Sequence, residues 1–249
     1  MRAILIDWHC HIDRAGGVQS LDRGDFDFED GNGPLVLAVT NRPAHWERLH
    51  ELQHARLLWG LGLHPGERKS PRDLAQMLDL LDESDAVGEI GLDGAAGSAA
   101  LMGQRTALER VFSHPALRSR VVSIHSRRAV PAIIEHLAEH ELPGAILHWF
   151  TGTAAQTARA AATGAWFSVN ASMGRSASLA EIPHDRLLLE TDAPYSRAKM
   201  PGQLSGALAI ISSAWNLQID DCAAIVERNQ VALLAATPHT ATALRRIVS

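Results

Sequence analysis

Two histidines near the start of the chain have a spacing that suits metal binding. They are His9 and His11, in the segment DWHCHID. On an extended strand a spacing of two places both imidazoles on the same face. Two imidazoles on one face supply half of a typical ligand set for a divalent metal ion. An isolated pair would fit equally well two strand-end histidines held by ordinary hydrogen bonds, so the rest of the chain has to decide.

Four further residues with metal-binding side chains close apolar segments. Glu89 lies in AVGEIGLD, where an unpaired carboxylate is costly to bury, so it is expected to meet a metal ion or an arginine. The other three end short apolar runs: His125 in VVSIH, His148 in AILHW and Asp192 in LLLETD. Taken singly, each of these three is also compatible with a polar strand end satisfied by neighbouring loops.

The apolar pattern supplies elements that could bring these residues together. Eight short, nearly continuous apolar runs are typical of strands buried on both faces of a parallel sheet. The predicted strands are residues 3–8, 35–40, 56–62, 85–90, 121–125, 145–149, 165–169 and 187–191. The predicted helices are residues 43–54, 71–83, 102–113, 128–140, 153–163, 206–216, 220–236 and 239–247.

Eight strands separated by helices in 249 residues predict an α/β fold, a (β/α)8 or TIM barrel, as a single domain over residues 1–249. A doubly wound open sheet is the alternative, but no glycine-rich phosphate loop follows the first strand. The Gly-rich, acidic connection at residues 13–34 is predicted to be a loop with at most a short helix.

Composition excludes several classes of protein. The chain is 46% hydrophobic and 20% charged, which rules out disorder and collagen-like or coiled-coil repeats. No apolar run approaches the roughly 18–20 residues that span a bilayer. Two cysteines make no disulfide framework and fit a reducing compartment. A net charge of −5 leaves no general basic footprint for nucleic acid. We therefore expect a soluble, cytoplasmic protein.

In a TIM barrel the carboxyl ends of all strands meet at one rim, where active sites are built. The six metal-capable residues end strands one, four, five, six and eight, so they should converge there. They divide into His9, His11 and Asp192 for one ion, His125 and His148 for a second, and Glu89 as the bridge. Two ions about 3.5–4 Å apart can clamp an attacking hydroxide and a phosphoryl or carbonyl oxygen. The pattern predicts a dinuclear hydrolase.

The scarcity of lysine supports Glu89 as the bridge. Several metallohydrolase barrels bridge their ions with a carbamylated strand lysine. This chain has only Lys69 and Lys199, and both fall in predicted loops.

Seven segments carry a family resemblance. DWHCHID, GLGLHP, VGEIGLD, SIHSRRA, LHWFTGT, AWFSVN and LLLETDAPY occur in the order found in TatD-family metal-dependent deoxyribonucleases. The chain resembles that family over about residues 1–235. The sequence of the segments LAVTNRP, GEIGLDG, SIHSRRA and LHWFTGT is most similar to QatD, the TatD-like component of the Qat anti-phage defence system. The resemblance implies a distorted TIM barrel of the amidohydrolase-like, metal-dependent type that hydrolyses DNA phosphodiester bonds.

The resemblance also implies roles for individual residues. The metal ligands would be His9, His11, Glu89, His125, His148 and Asp192. They would hold two divalent ions, with Zn, Mn, Mg and Ni as candidates. His64, in GLHP, matches a histidine that in the family lines the pocket and contacts the substrate phosphate. Asp192 is expected to accept the proton of the attacking water as well as to bind metal.

Basic residues after the strands are candidates for DNA contacts. Arg127 and Arg128 follow His125, and Arg175 lies in the loop after strand seven. In the barrel all three would project toward the mouth, although Arg127 and Arg128 fit a solvated helix start equally well. Because only these few basic residues would contact the DNA backbone, we expect only a modest dependence of DNA binding on salt.

Three functions are consistent with the sequence. The first is a metal-dependent deoxyribonuclease, acting on strand ends beside other Qat-type defence proteins. The second is a metallohydrolase of the same fold that cleaves an amide, ester or modified-nucleoside bond. The third is a subunit that acts mainly by binding partner proteins.

Several other residues are predicted to be structural. Trp149, Phe150 and Trp166 could stack a base, but barrel packing is the favoured reading. Asn229 matches a family asparagine and is expected to be structural. The helical histidines are predicted to be surface residues: His45, His50, His54, His136 and His140.

Overall fold

The computed structural model describes residues 5–13, 34–52, 56–67, 71–174, 176, 178–198 and 202–248. Most of the connection predicted as a loop, residues 14–33, lies outside these ranges, as do Lys69, Arg175 and Lys199. Within the described residues no helix is both long and apolar enough to cross a membrane.

Eight parallel strands follow one another around a single sheet in the order of the sequence, which is the predicted TIM-barrel topology. The strands are β1 (Ile6–Cys10), β2 (Leu35–Val39), β3 (Leu57–Leu61), β4 (Ala86–Gly91), β5 (Val122–His125), β6 (Ala145–Leu147), β7 (Trp166–Val169) and β8 (Leu187–Leu189). Every predicted strand is present, although β1 begins and ends later than predicted, and β6 and β8 are shorter.

The barrel is closed by the segment that follows β8. The Asp192 amide donates a hydrogen bond to the His9 carbonyl (2.8 Å), and the His11 amide donates to the Ala193 carbonyl (2.9 Å). Asp7, fully buried in β1, accepts hydrogen bonds from the Thr191 amide and hydroxyl at 2.8 and 2.6 Å. Closure therefore joins the two segments that carry His9, His11 and Asp192.

Helices surround the sheet, and their bounds differ from the prediction mainly at the ends. They are α1 (Pro43–Leu49), α2 (Pro71–Leu80), α3 (Ser98–Phe112), α4 (Val130–Glu139), α5 (Ala154–Ala162), α6 (Ser205–Trp215), α7 (Ile219–Ala236) and α8 (Pro238–Val248). Helix α1 ends at Leu49, earlier than predicted, and the next residue, His50, stacks its ring on Trp46 with its Nδ1 3.0 Å from the Trp46 carbonyl. Helix α3 starts four residues early, with an exposed first turn that has no apolar periodicity.

The barrel interior changes character along the strands. One hydrophobic cluster takes a residue from every strand or from the position just before it: Ile6, Leu35, Leu58, Ala86, Val121, Ile146, Trp166 and Leu188. Leu233 of α7 and Leu244 of α8 join this cluster at the amino end of the barrel. Because strand side chains alternate, the positions two residues farther on share that face. In six strands these are small or polar: Gly60, Gly88, Ser123, His148, Ser168 and Glu190.

Two strands depart from regular register, and both carry candidate ligands. The β1–β2 pairing is irregular between Asp7 and Cys10, which includes His9. The β4–β5 pairing is irregular between Val87 and Ile90, which includes Glu89. Local irregularities of this kind re-aim a side chain relative to strict alternation, often next to active sites.

Asn229 ties α7 to the start of β8, as expected for a structural residue. Its side-chain amide donates to the His184 and Leu187 carbonyls at 2.7 and 2.8 Å. Replacing Asn229 with Ala removes both hydrogen bonds, including the buried one to the Leu187 carbonyl, so we expect the free energy of unfolding to fall by about 1–3 kcal/mol. Chemical denaturation measures this change. The exposed neighbour Arg228, changed to Ala, should alter stability by less than about 0.5 kcal/mol. Equal losses for the two variants would contradict the assignment.

Candidate metal centre

The six predicted ligands converge on one cavity at the carboxyl ends of the strands. The cavity has a volume of about 570 Å³, and His11, Glu89, His125, His148 and Asp192 line it. His9 lies beneath them and is fully buried. The rim therefore collects all six residues that sequence spacing assigned to it.

Glu89 lies at the centre, and its two oxygens face different histidines. Oε1 is 2.6 Å from His125 Nδ1 and 2.7 Å from His148 Nε2. Oε2 is 3.2 Å from His11 Nε2 and 3.6 Å from His9 Nε2. A carboxylate that bridges two ions would present its oxygens in this way.

Asp192 completes the group on the side of His9 and His11. Its Oδ1 lies 3.5 Å from His11 Nε2 and 3.7 Å from His9 Nε2. Its backbone is left-handed, with φ of 47°, so the chain turns sharply immediately after β8. Burial raises the pKa of the Asp192 carboxyl to about 7, and the charge of Glu190 adds to this rise.

Buried polar atoms without partners show that the residues present fit metal ions. Glu89 Oε2 and Asp192 Oδ1 are both buried and accept no hydrogen bond. The ligand atoms of His9, His11 and Asp192 lie within 4.8 Å of one another. On the other side, His125 Nδ1 and His148 Nε2 are 3.4 Å apart. Imidazole and carboxylate donors at these separations suit divalent transition metals.

The potential at the site is negative and attracts cations. Burial alone would lower the pKa of His148, but its contact with Glu89 outweighs this and raises the pKa to about 9. For His9 the effect of burial is larger than that of Glu89, and the neighbouring His148 adds to it. The pKa of His9 therefore falls well below its ordinary value. A proton on His148 therefore compensates the negative charge of Glu89, and a bound metal ion could take its place.

Partners that orient the ligands were not predicted from the sequence. Ser123 Oγ lies 2.7 Å from His9 Nδ1, and Asn41 Nδ2 lies 3.3 Å from His11 Nδ1. Asn41 is itself held by Asp13, whose carboxylate accepts a hydrogen bond from the backbone amide of Asn41 at 3.1 Å. Ser123 precedes His125 by two residues on the inward face of β5, and that alternation was the available signal.

Glu190 is a second buried carboxylate that sequence reasoning missed. It accepts hydrogen bonds from the Trp149 amide (3.0 Å), the Asn170 side-chain amide (2.9 Å) and the Ser168 hydroxyl. Its Oε2 is 4.0 Å from His148 Nδ1. Burial raises the pKa of Glu190 as well. It lies inside the predicted strand at residues 187–191, two residues before Asp192, and alternation along that strand was the available signal.

Of the predicted substrate-binding residues that the structure describes, two line the cavity and one does not. His64 lines the cavity, with Nε2 3.5 Å from Glu89 Oε1, and burial lowers its pKa to about 4. Arg127 also lines the cavity, and its side chain is 62% exposed. Arg128 is exposed but is not among the lining residues, and Arg175 lies outside the described residues.

Aromatic side chains divide between packing and the cavity. Phe150 and Trp166 are buried in the hydrophobic core, as predicted. Trp149 is partly buried and packs against the core, as predicted, and it also lines the cavity. Tyr195, which was not predicted, also lines it and meets the His11 ring edge-on at 5.1 Å between centroids.

The chain matches a known protein family over most of its length. The model of the family described as TatD related DNase matches residues 6–235. The chain belongs to this family. Its strand order and the motifs at the barrel mouth agree with that membership, which makes it a metal-dependent hydrolase acting on ester bonds.

Individual relatives of the TatD family come from bacteria and animals. The uncharacterized metal-dependent hydrolase YjjV of Escherichia coli strain K12 is 31% identical over 209 residues, covering 76% of this chain and 79% of YjjV. The 3'-5' ssDNA/RNA exonuclease TatD of Edwardsiella piscicida is 32% identical over 180 residues, covering 66% of this chain and 69% of that protein. The crystal structure of E. coli YjjV shares the fold, with a TM-score of 0.74 and 24% identity over 94% of this chain and 98% of that one.

The contact between Ser123 and His9 generates a prediction about metal affinity. Replacing Ser123 with Ala removes the group that orients His9, and loss of such a partner typically weakens metal binding about 10- to 100-fold. Titration of metal into chelator-stripped protein measures the affinity. Ser84, fully buried before β4 at the other end of the barrel, is the matched control. Ser84→Ala should leave the affinity unchanged, and unchanged affinity in Ser123→Ala would show that His9 needs no such support.

Proposed function

We propose that the chain is a deoxyribonuclease that removes nucleotides from DNA strand ends by hydrolysing phosphodiester bonds with two divalent metal ions. The observation that carries this proposal is Glu89, whose oxygens face two separate histidine groups at the mouth of a TatD-family barrel. The name of the Edwardsiella relative supports an exonuclease working in the 3'-5' direction.

The ligand sets assign the two ions. His9, His11 and Asp192 would hold one, His125 and His148 the other, and Glu89 would contact both. When bound, such ions supply acidified water near neutral pH and positive charge for the phosphate oxygens.

The side chains around the cavity do the remaining work. Asp192, whose Oδ1 is buried beside His9 and His11, would accept the proton lost by the attacking water. His64 at the cavity wall would donate a hydrogen bond to a phosphate oxygen. Arg127 would neutralise charge on the same phosphate or its neighbour.

The shape of the cavity favours strand ends. Its volume of about 570 Å³ lies within the range of small-molecule sites, roughly 300–1,000 Å³. A concave site of this size admits a terminal nucleotide more readily than the continuous side of a duplex. This is why we propose an exonuclease rather than an endonuclease.

The principal test is a nuclease assay on end-labelled single- and double-stranded DNA. Chelator-stripped protein receives Mg, Mn, Zn or Ni singly. We expect metal-dependent shortening of the strands, reduced about 100-fold or more in Glu89→Gln, because electrostatic stabilisation at the reacting centre is worth that much. Glu181→Gln, at an exposed surface position, is the control and should keep full activity.

The opposite outcome is equally informative. If the protein binds two ions per chain but leaves every DNA substrate intact, the deoxyribonuclease proposal fails. Hydrolysis of an amide, ester or modified nucleoside would then be the function to test at the same residues. Activity that appears only after a partner protein is added would indicate the subunit role instead.

Arg127 and Arg128 form a matched pair for testing DNA contact. Only Arg127 lines the cavity, so Arg127→Gln should weaken DNA binding and lower the slope of log affinity against log salt by about 1. Arg128→Gln should change neither quantity, against the expectation from sequence that both arginines bind substrate. Fluorescence anisotropy at several salt concentrations measures both. If only Arg128→Gln weakened binding, the cavity would not be the DNA site.

The similarity of the motif sequences to QatD also leads us to propose a cytoplasmic role beside other Qat-type defence proteins. The test is phage plating on cells that express the chain together with its neighbouring genes. Protection should be present with the unaltered chain and absent with Glu89→Gln. Equal plating on the two strains would remove the defence role and leave the nuclease proposal standing.

A further inference from the structure

A second group of metal-capable side chains lies on the outer surface, away from the cavity. Glu109 belongs to α3, His136 and Glu139 belong to α4, and His140 directly follows α4. Their ligand atoms all lie within 4.8 Å of one another. None of these residues lines the barrel-mouth cavity. This group is called the α3–α4 cluster below.

The distances within the α3–α4 cluster fit one small metal ion. Glu109 Oε2 is 3.1 Å from His136 Nδ1 and 3.2 Å from His140 Nε2. Ligands bound to a tetrahedral Zn²⁺ at 2.0–2.1 Å lie about 3.3–3.4 Å apart. The two spacings to Glu109 need to change by only a few tenths of an ångström to accept the ion.

The sequence spacing explains how the cluster forms. His136 and His140 are four residues apart, so both turn to the same side at the end of α4, where α3 lies. The carbonyl end of a helix also carries partial negative charge, which favours a cation there. With neutral imidazoles, Glu109 and Glu139 add two negative charges for a divalent ion to neutralise.

Among the residues that the structure describes, no arginine or lysine forms an ion pair with the α3–α4 cluster. Arg105, one turn before Glu109, pairs with Glu135 at 2.7 Å. In the part of the chain that the structure describes, the ion-pair partners of Glu109 are His136 and His140. These contacts turn the Glu109 carboxylate toward both imidazoles.

His136 departs from its predicted surface position. It is 8% exposed, packs edge-on against Phe112, and its Nε2 is buried without a hydrogen-bond partner. Its other nitrogen points to Glu109. A buried imidazole held against a carboxylate on one side and a phenyl ring on the other is fixed in orientation, as a metal ligand is.

We propose that Glu109, His136 and His140, with Glu139 as a fourth ligand, form a structural site for a divalent transition metal ion of the Zn²⁺ class. The ion would pin α3 to α4. These helices follow β4 and β5, the strands that carry Glu89 and His125, so the clamp would brace two neighbouring βα units of the barrel. Nitrogen and oxygen ligands of this kind favour Zn²⁺ over Mg²⁺ or Ca²⁺.

The test counts zinc bound per chain at a fixed free Zn²⁺ concentration. The unaltered protein is compared with the double variant Glu109→Gln/His140→Gln, which changes two of the more accessible cluster residues and keeps the buried His136. We expect the double variant to bind one fewer zinc ion per chain. We also expect zinc to raise the thermal unfolding midpoint less in the double variant than in the unaltered protein.

Glu141→Gln is the matched control, because it removes an exposed charge next to His140 without removing a ligand. It should bind as many ions as the unaltered protein. An equal zinc count in the double variant would overturn the proposal, and so would an equal loss in Glu141→Gln, which would indicate diffuse attraction. The comparison is a difference between variants, so it does not depend on how many ions the barrel mouth holds.

A crystallographic measurement on the unaltered chain tests the same site without mutation. Crystals grown with about three equivalents of Zn²⁺ should show anomalous scattering at the zinc edge between Glu109, His136 and His140. A zinc peak at the barrel mouth with none at the α3–α4 cluster would also overturn the proposal.

Discussion

Three carboxylates buried together at one end of the barrel impose the constraint on which the rest of the structure depends. Glu89, Glu190 and Asp192 are each at most 4% exposed. Uncompensated burial of such charges costs several kcal/mol or more each, at order of magnitude. Five histidines lie within 4 Å of Glu89 or Asp192, and they relieve that cost only in part. Divalent cations would relieve the rest, and the same positive charge would then act on a phosphate.

This constraint shapes the barrel interior. The amino halves of the strands fill the interior with apolar side chains, whereas the carboxyl halves carry glycine, serine, histidine and glutamate on the same face. Gly88 is an example of the need for small residues, because a Cβ there would lie 2.9 Å from the Ser123 Cβ. A larger side chain would displace Ser123, which orients His9. Apolar side chains thus pack the amino end of the barrel interior, and polar groups occupy its carboxyl end.

Much of the fold and the candidate site follows from local pattern, and the remainder depends on contacts between distant strands. Apolar runs located all eight strands, and residue type at their ends identified six candidate ligands that the structure brings together. Two features had no such signal. The register irregularities that turn His9 and Glu89 inward depend on pairing with β2 and β5. Glu190 and Asn41 acquire their roles from Trp149, Asn170 and Asp13, which no spacing along the chain connects to them.

The site separates a fixed part from an adaptable part. The ligands and the groups that hold them lie on strand ends, are mostly buried, and are cross-linked by hydrogen bonds such as Ser123–His9 and Asn41–Asp13. The cavity walls come from loops after the strands, where His64, Arg127 and Tyr195 are partly exposed. Changes in these loops would alter which substrate fits without disturbing the buried charges. Metal chemistry is therefore the property most tightly tied to this fold, and substrate choice rests on side chains that the barrel does not need for its stability.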